Sequence, residues 1–394
     1  MKLITQADKD SLKETHFFVT YSVLGKDLDN IAWDIAIGQS VGNPNIRSRW
    51  ETEELFINHS CKIVNIDREN QIVEIAFPYV NLDWNTDGVA QLLCMIQGGQ
   101  TDISHVHRCS VIGLEAPKLK TLQPKYGISG FRKFVSTRSH DGNRPFLGGI
   151  VKPKTGINKY TLLEMIKEMV DGGVDFIKED GILSNPAFCT IEERVPLVMN
   201  YLAGKAQKVI YSVCINSDPA HILNRVNRVH ELGGNSIHLN FWSGLGAYKS
   251  IRELDLPIFI HYQKSGIETI CNPDNKYFIS WKVICQLAGM CGVDSIHAGM
   301  VGGYSDNKDI KSTIEVLHSY NVLPALSCGM HPGLVSMVNN TVGVDYMANV
   351  GGALHGHPGG TLAGTRAMRQ AINEEYGQEY KEAVKTWGYI NANR

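Results

Sequence analysis

From about residue 140 onward, short apolar runs alternate with helix-length amphipathic stretches, and the beat repeats eight times. The candidate strands are 147–152, 174–178, 208–214, 235–239, 256–261, 293–297, 322–327 and 345–350. Each is a near-continuous apolar run, as strands buried on both faces require. Between the first two, Leu162, Ile166, Met169 and Val170 recur at helical spacing within 160–171, and Gly172-Gly173 stops the helix. Similar patterns occupy 218–232, 277–290, 307–320 and 360–374. Strand–helix units repeated over roughly 250 residues predict a (β/α)8 barrel, with an open doubly wound sheet as the competing arrangement.

Residues 1–125 lack that beat. Strand-like runs at 17–23, 61–66 and 72–77 and a helical pattern at 87–97 predict a separate, smaller α+β domain of ferredoxin-like type. The barrel then spans 126–394, and the Pro-, Lys- and Gly-rich stretch 115–130 reads as the hinge. A length of 394 residues suits two domains, and 43% hydrophobic with 20% charged residues suits a globular chain. The net charge of −2 offers no electrostatic reason for nucleic acid or an anionic membrane as partner. No apolar run reaches the roughly 18 residues of a membrane span, and the N-terminus lacks an apolar signal core. Nine cysteines without CxxC pairs suit free thiols and a cytoplasmic location.

The residues that end each predicted strand form one inventory. Strand one offers Lys152 and Lys154; strand two offers Lys178, Glu179 and Asp180. Asn216, Asn240, His261, His297 and Ser327 follow, then Gly351-Gly352 after the eighth. Three lysines and two histidines at the carboxyl rim of a parallel barrel point to an anionic substrate and proton transfer. Crowding by Lys152 and Lys154 lowers the pKa of Lys178, and a neutral amine adds CO2 to become an anionic carbamate. With Asp180, such a carbamate makes an oxygen-ligand site for Mg2+; the alternative is that Lys178 and Asp180 pair with their neighbours. Gly351, Gly352 and Gly329 bring backbone N–H groups close to an oxyanion, with Ser327 as an added donor, near the last two strands where barrels often bind phosphate. His105, His107 and Cys109 alternate like metal ligands, but no second pair follows at zinc spacing.

Four segments carry a family resemblance: GGIVKPKTG at 148–156, GVDFIKEDGILSNPAFCTIEERV at 173–195, IHAGMVGG at 296–303, and LSCGMHPGLV through GGALHGHPGG across 326–360. In this order and spacing the chain resembles the RuBisCO large-subunit superfamily, most closely a RuBisCO-like protein of the form IV type with archaeal-type (form III) features. The resemblance implies that Lys152 and Lys154 are active-site lysines, Lys178 the lysine carbamylated by CO2, and Asp180 a Mg2+ ligand. It makes His261 and His297 site histidines, Ser327 a substrate-binding serine, and Gly329, Gly351 and Gly352 the phosphate-site backbone.

Five positions depart from the family's carboxylases. Gly181 stands where the third metal carboxylate is expected, and Tyr262 where an Arg clamps the distal phosphate. Tyr304 takes the place of the mobile-loop Lys, and Gly38 and Gly99 replace residues donated across a dimer. Losing such partners costs orders of magnitude in rate. The resemblance therefore implies Mg2+-assisted enolate chemistry on a keto-sugar monophosphate by a homodimer or an oligomer of dimers. Decarboxylation is narrowly preferred over enolisation or isomerisation. The alternatives are a carboxylase with an altered site and a non-catalytic sugar-phosphate binder.

Overall fold

The computed structural model describes residues 6–42, 48–99, 106–135, 144–302 and 307–389. Four strands come first: β1 His16–Gly25, β2 Lys62–Asp67, β3 Ile72–Pro78 and β4 Val106–Glu115. Five more follow, β5 Phe146–Ile150, β6 Phe176–Lys178, β7 Ile210–Cys214, β8 Ser236–Asn240 and β9 Phe259–Gln263. The short β10, Tyr277–Ile279, precedes β11 Ser295–Gly299, β12 Leu323–Leu326 and β13 Met347–Val350. Two compact units result, residues 1–121 with 267–287, and residues 122–266 with 288–394.

In the first unit a five-stranded sheet has the order β10-β4-β1-β3-β2, with β1 central and buried along most of its length. The pattern over 277–290, expected as one helix, is instead β10 followed by a helix at Trp281–Met290. Tyr277, Phe278 and Ile279 pair in parallel with Cys109, Ser110 and Val111, covering a β4 edge that would otherwise leave backbone groups unpaired.

The second unit is a closed barrel of eight strands among the described residues, ordered β11-β12-β13-β5-β6-β7-β8-β9, with every described pairing parallel. Local chemistry sets the helix limits between strands. Asn158 accepts from the backbone N–H groups of Tyr160 and Thr161 at 2.9 and 3.0 Å to start the helix Lys159–Asp171. The helix Gly127–Val135 begins inside the stretch read as a hinge. Its Phe131 and Val135 pack on Phe146, Phe176, Ile210, Phe259, Leu323 and Met347, the first residues of six barrel strands. That apolar plug seals the amino end of the barrel. Only the carboxyl end is left for chemistry.

Candidate active site

Alternation along each strand decides which side chains face the barrel axis. On β9, Phe259 belongs to the plug, so His261 and Gln263 point inward above it and Tyr262 points out. Tyr262 is buried edge-on against Tyr248 of the helix Leu245–Glu253, ring centres 4.8 Å apart. His261, expected at the strand's end, is mid-strand and fully enclosed; Gln263 holds the end. The same inward position carries His238 on β8 and His297 on β11. The His261 ring lies 6.4 Å from His238 and 4.8 Å from His297, both edge-on. Burial pushes all three imidazoles well below the usual range, with each other or Lys178 adding to the effect. They are neutral at pH 7. Asn349 Nδ2 donates to His297 Nε2 at 2.8 Å, so that nitrogen is the acceptor, and His261 Nδ1 meets Ser295 Oγ at 3.2 Å.

Lys178, at the end of β6, turns into the barrel and has no solvent exposure. Burial, more than the nearby Lys152, lowers its pKa from 10.5 to about 8. Its Nζ donates to the Glu179 carbonyl at 2.8 Å. The next residue points the opposite way. The Glu179 carboxylate is held behind the barrel wall by Arg194 Nε and Nη2 at 2.6 and 2.9 Å, by Cys214 N–H at 2.7 Å, and by the Tyr211 hydroxyl. Asp180 faces the rim again and binds Lys152 Nζ at 2.5 Å. The backbone carbonyl of Gly181 accepts from Asn216 Nδ2, while Asn216 Oδ1 accepts from the Asn240 N–H at 2.8 Å.

These groups suit a hard cation only in combination. Among the described residues no three His, Cys, Asp or Glu side chains converge as ligands. One carboxylate stands beside a lysine whose amine becomes neutral near pH 8, and a carbamate on that lysine would supply a second anionic oxygen donor. Glu179 is fully committed elsewhere. A neighbouring amide oxygen, Gln263 Oε1, is buried with no hydrogen-bond partner among the described residues.

The opposite side of the rim is built from β12, β13 and β5. Ser327 follows β12, is buried, and donates its N–H to the Gly299 carbonyl at 3.1 Å. Gly329 has φ +112°, a conformation glycine adopts without strain, and it borders open space, as does Gly352. Gly351 lies against the end of β5: a Cβ there would stand 3.4 Å from Lys152 Cε. Lys152 thus runs from the glycine pair to Asp180, whereas Lys154 is exposed.

Tyr304 and His105 lie outside the described residues. His107 is exposed while Cys109 is buried. Gly38 ends the helix Leu28–Gly38, and Gly99 borders open space. His238 and Gln263 are additions that strand-end reading missed. A signal for the first is present: Ser-Ile-His, Phe-Ile-His and Ser-Ile-His open β8, β9 and β11, with the histidine third in each strand.

Residues 127–322 match the family described as ribulose bisphosphate carboxylase large chain, catalytic domain. A ribulose bisphosphate carboxylase of Archaeoglobus fulgidus is 27% identical over 93% of this chain and 92% of its own. A ribulose bisphosphate carboxylase-like protein of the same organism is 29% identical over 82% and 78%. The 2,3-diketo-5-methylthiopentyl-1-phosphate enolase of Bacillus velezensis is 27% identical over 93% and 96%. Among solved structures, the dimeric archaeal Rubisco of Hyperthermus butylicus superposes with a TM-score of 0.85 at 23% identity, covering 96% of this chain and 97% of that one.

Proposed function

This chain belongs to the RuBisCO large-chain family, and on that premise we propose that it performs metal-assisted enolate chemistry on a keto-sugar monophosphate, not carboxylation of a bisphosphate. The observation that carries the proposal is position 262. A buried phenol turned outward against Tyr248 replaces a guanidinium at the rim, so strand β9 offers no clamp at 262 for a distal phosphate. The enolase of Bacillus velezensis, whose named substrate bears one phosphate, supports the same reading.

The single phosphate is assigned to the backbone of Gly329, Gly351 and Gly352, with Ser327 beside it. Lys178 is assigned the carbamate: the amine lone pair bonds to the carbon of CO2, one C=O pair moves onto oxygen, and a proton leaves. Carbamylated Lys178 and Asp180 would hold Mg2+, which supplies a Lewis acid for the substrate carbonyl. Lys152, paired with Asp180 at 2.5 Å, is assigned to face the developing enediolate and to return a proton to it, with exposed Lys154 beside it. Neutral His261 and His297 are assigned a proton relay, in which a proton taken at one ring nitrogen is matched by one given up from the other and the ring ends uncharged.

Decarboxylation of a 3-keto acid suits this set best. The C–C bond electrons pass into the carbonyl, CO2 departs, and no base is required. Enolisation is the second reading, favoured by the Bacillus velezensis relative. A homodimer is proposed by analogy with the Hyperthermus butylicus protein. A reducing, cytoplasmic setting suits nine free thiols; no helix among the described residues is long and apolar enough to cross a membrane.

The test supplies Mg2+ and bicarbonate with a 3-keto acid sugar monophosphate, a 2,3-diketo 1-phosphate and ribulose bisphosphate. Metal-dependent CO2 release from the first or enol absorbance from the second is the expected result. Labelled-CO2 fixation into the bisphosphate at a matching rate would overturn the proposal. Metal-independent thermal stabilisation without turnover would leave the chain a binder.

A further inference from the structure

Three observations meet at the end of β9. Gly181 contributes no side chain to the metal-side face, and Glu179 is sequestered by Arg194. A Cβ built at Gly181 would contact the Gln263 side chain, 3.4 Å from Nε2 and 4.0 Å from the amide carbon. Gln263 Oε1 is enclosed and has no hydrogen-bond partner among the described residues. A buried carbonyl oxygen without a donor is costly, and sites that tolerate one commonly present it to an ion or water. The terminal torsion of a glutamine is broad, so the oxygen turns readily within its pocket.

We propose that Gln263 is the replacement metal ligand of this chain, its amide oxygen supplying in trans, from β9, the donor that Gly181 fails to supply next to Asp180. The inference rests on the metal–carbamate reading above. An amide oxygen is an ordinary ligand for a hard divalent cation, and it carries no charge. Carbamate and Asp180 then just balance a divalent ion, whereas a third carboxylate would leave the site with one excess negative charge. The exchange trades affinity for neutrality: binding is weaker, and an enediolate formed at the site meets less repulsion.

The experiment uses the full chain with MgCl2 under saturating CO2. The Mg2+ dissociation constant is read by calorimetry, the carbamate by 13C NMR, and folding by thermal melts. Gln263→Ala is expected to weaken Mg2+ binding at least tenfold. Gln263→Glu is expected to tighten it at least tenfold, a gain that misfolding cannot mimic. Gly181→Glu, whose added Cβ meets only ordinary contacts, is expected to restore binding in the Gln263→Ala background. Native-like affinity in both Gln263 variants, alongside a Mg2+-dependent carbamate abolished by Lys178→Ala, overturns the role of Gln263 and leaves the metal centre standing. Absence of that carbamate in the native protein overturns both.

Discussion

At Lys178 two physical effects lower the pKa, and the structure ranks them. Crowding by lysines is readable from the chain, yet burial of the ammonium is the larger cause and Lys152 a lesser one. Lys154 is exposed and does not figure among the causes. With a pKa of about 8 in place of 10.5, half of the amine is neutral near pH 8. At fixed dissolved CO2 and Mg2+, the carbamate signal should therefore rise between pH 7 and pH 9. A 13C titration checks this, and a signal that first grows above pH 10 would contradict it. That Asp180 pairs with a neighbour was an alternative readable from the sequence; that the neighbour is Lys152 and that the same lysine reaches Gly351 was not, because the latter depends on the closure of β13 onto β5.

At the scale of elements, β6 and the helix after it work as one device. Alternation sends Lys178 and Asp180 inward and Glu179 outward, where Arg194 of the helix Ile191–Ala203 meets it with both side chains fully buried. Removing either charge leaves the other buried and unpaired, which costs about 3–5 kcal/mol. Arg194→Met should lower the urea midpoint accordingly and slacken the loop that carries Asp180, while Glu192→Gln on the exposed face of the same helix should be near neutral. Equal midpoints for the two variants would refute the device. The helix was not among the patterns expected from the sequence, although Ile191, Val195, Val198 and Leu202 keep helical spacing, because Pro196 interrupts it. The strand at 277–279 is not legible, because its partner β4 lies far away in sequence.

At the scale of the whole molecule, three uncharged imidazoles packed edge-on in the barrel contribute to its acid sensitivity. Their folded pKa values are lowered, so below about pH 6.5 the unfolded chain binds more protons than the folded one. Their stabilising contribution is complete above that pH and is lost as the pH falls toward the lowered values. Each contributes a slope of about 1.4 kcal/mol per pH unit in that window. The urea midpoint should fall steeply below pH 6 and rise modestly from pH 7 to 8 as Lys178 approaches its lowered pKa, and His238→Asn should flatten the acid fall. An unchanged midpoint at pH 5 would contradict this account.

The barrel, its eight strands and the Lys, Asp and Gly residues at their ends were determined by the sequence alone, because apolar periodicity and strand termination are local properties of the chain. Depth and direction were decided only by the tertiary structure. It put His261 in the core instead of at the rim, turned Tyr262 outward, committed Glu179 to Arg194 and brought Gln263 against Gly181. Each of those outcomes depends on the inter-strand register and on which strands become neighbours, and neither is encoded within any one stretch of residues.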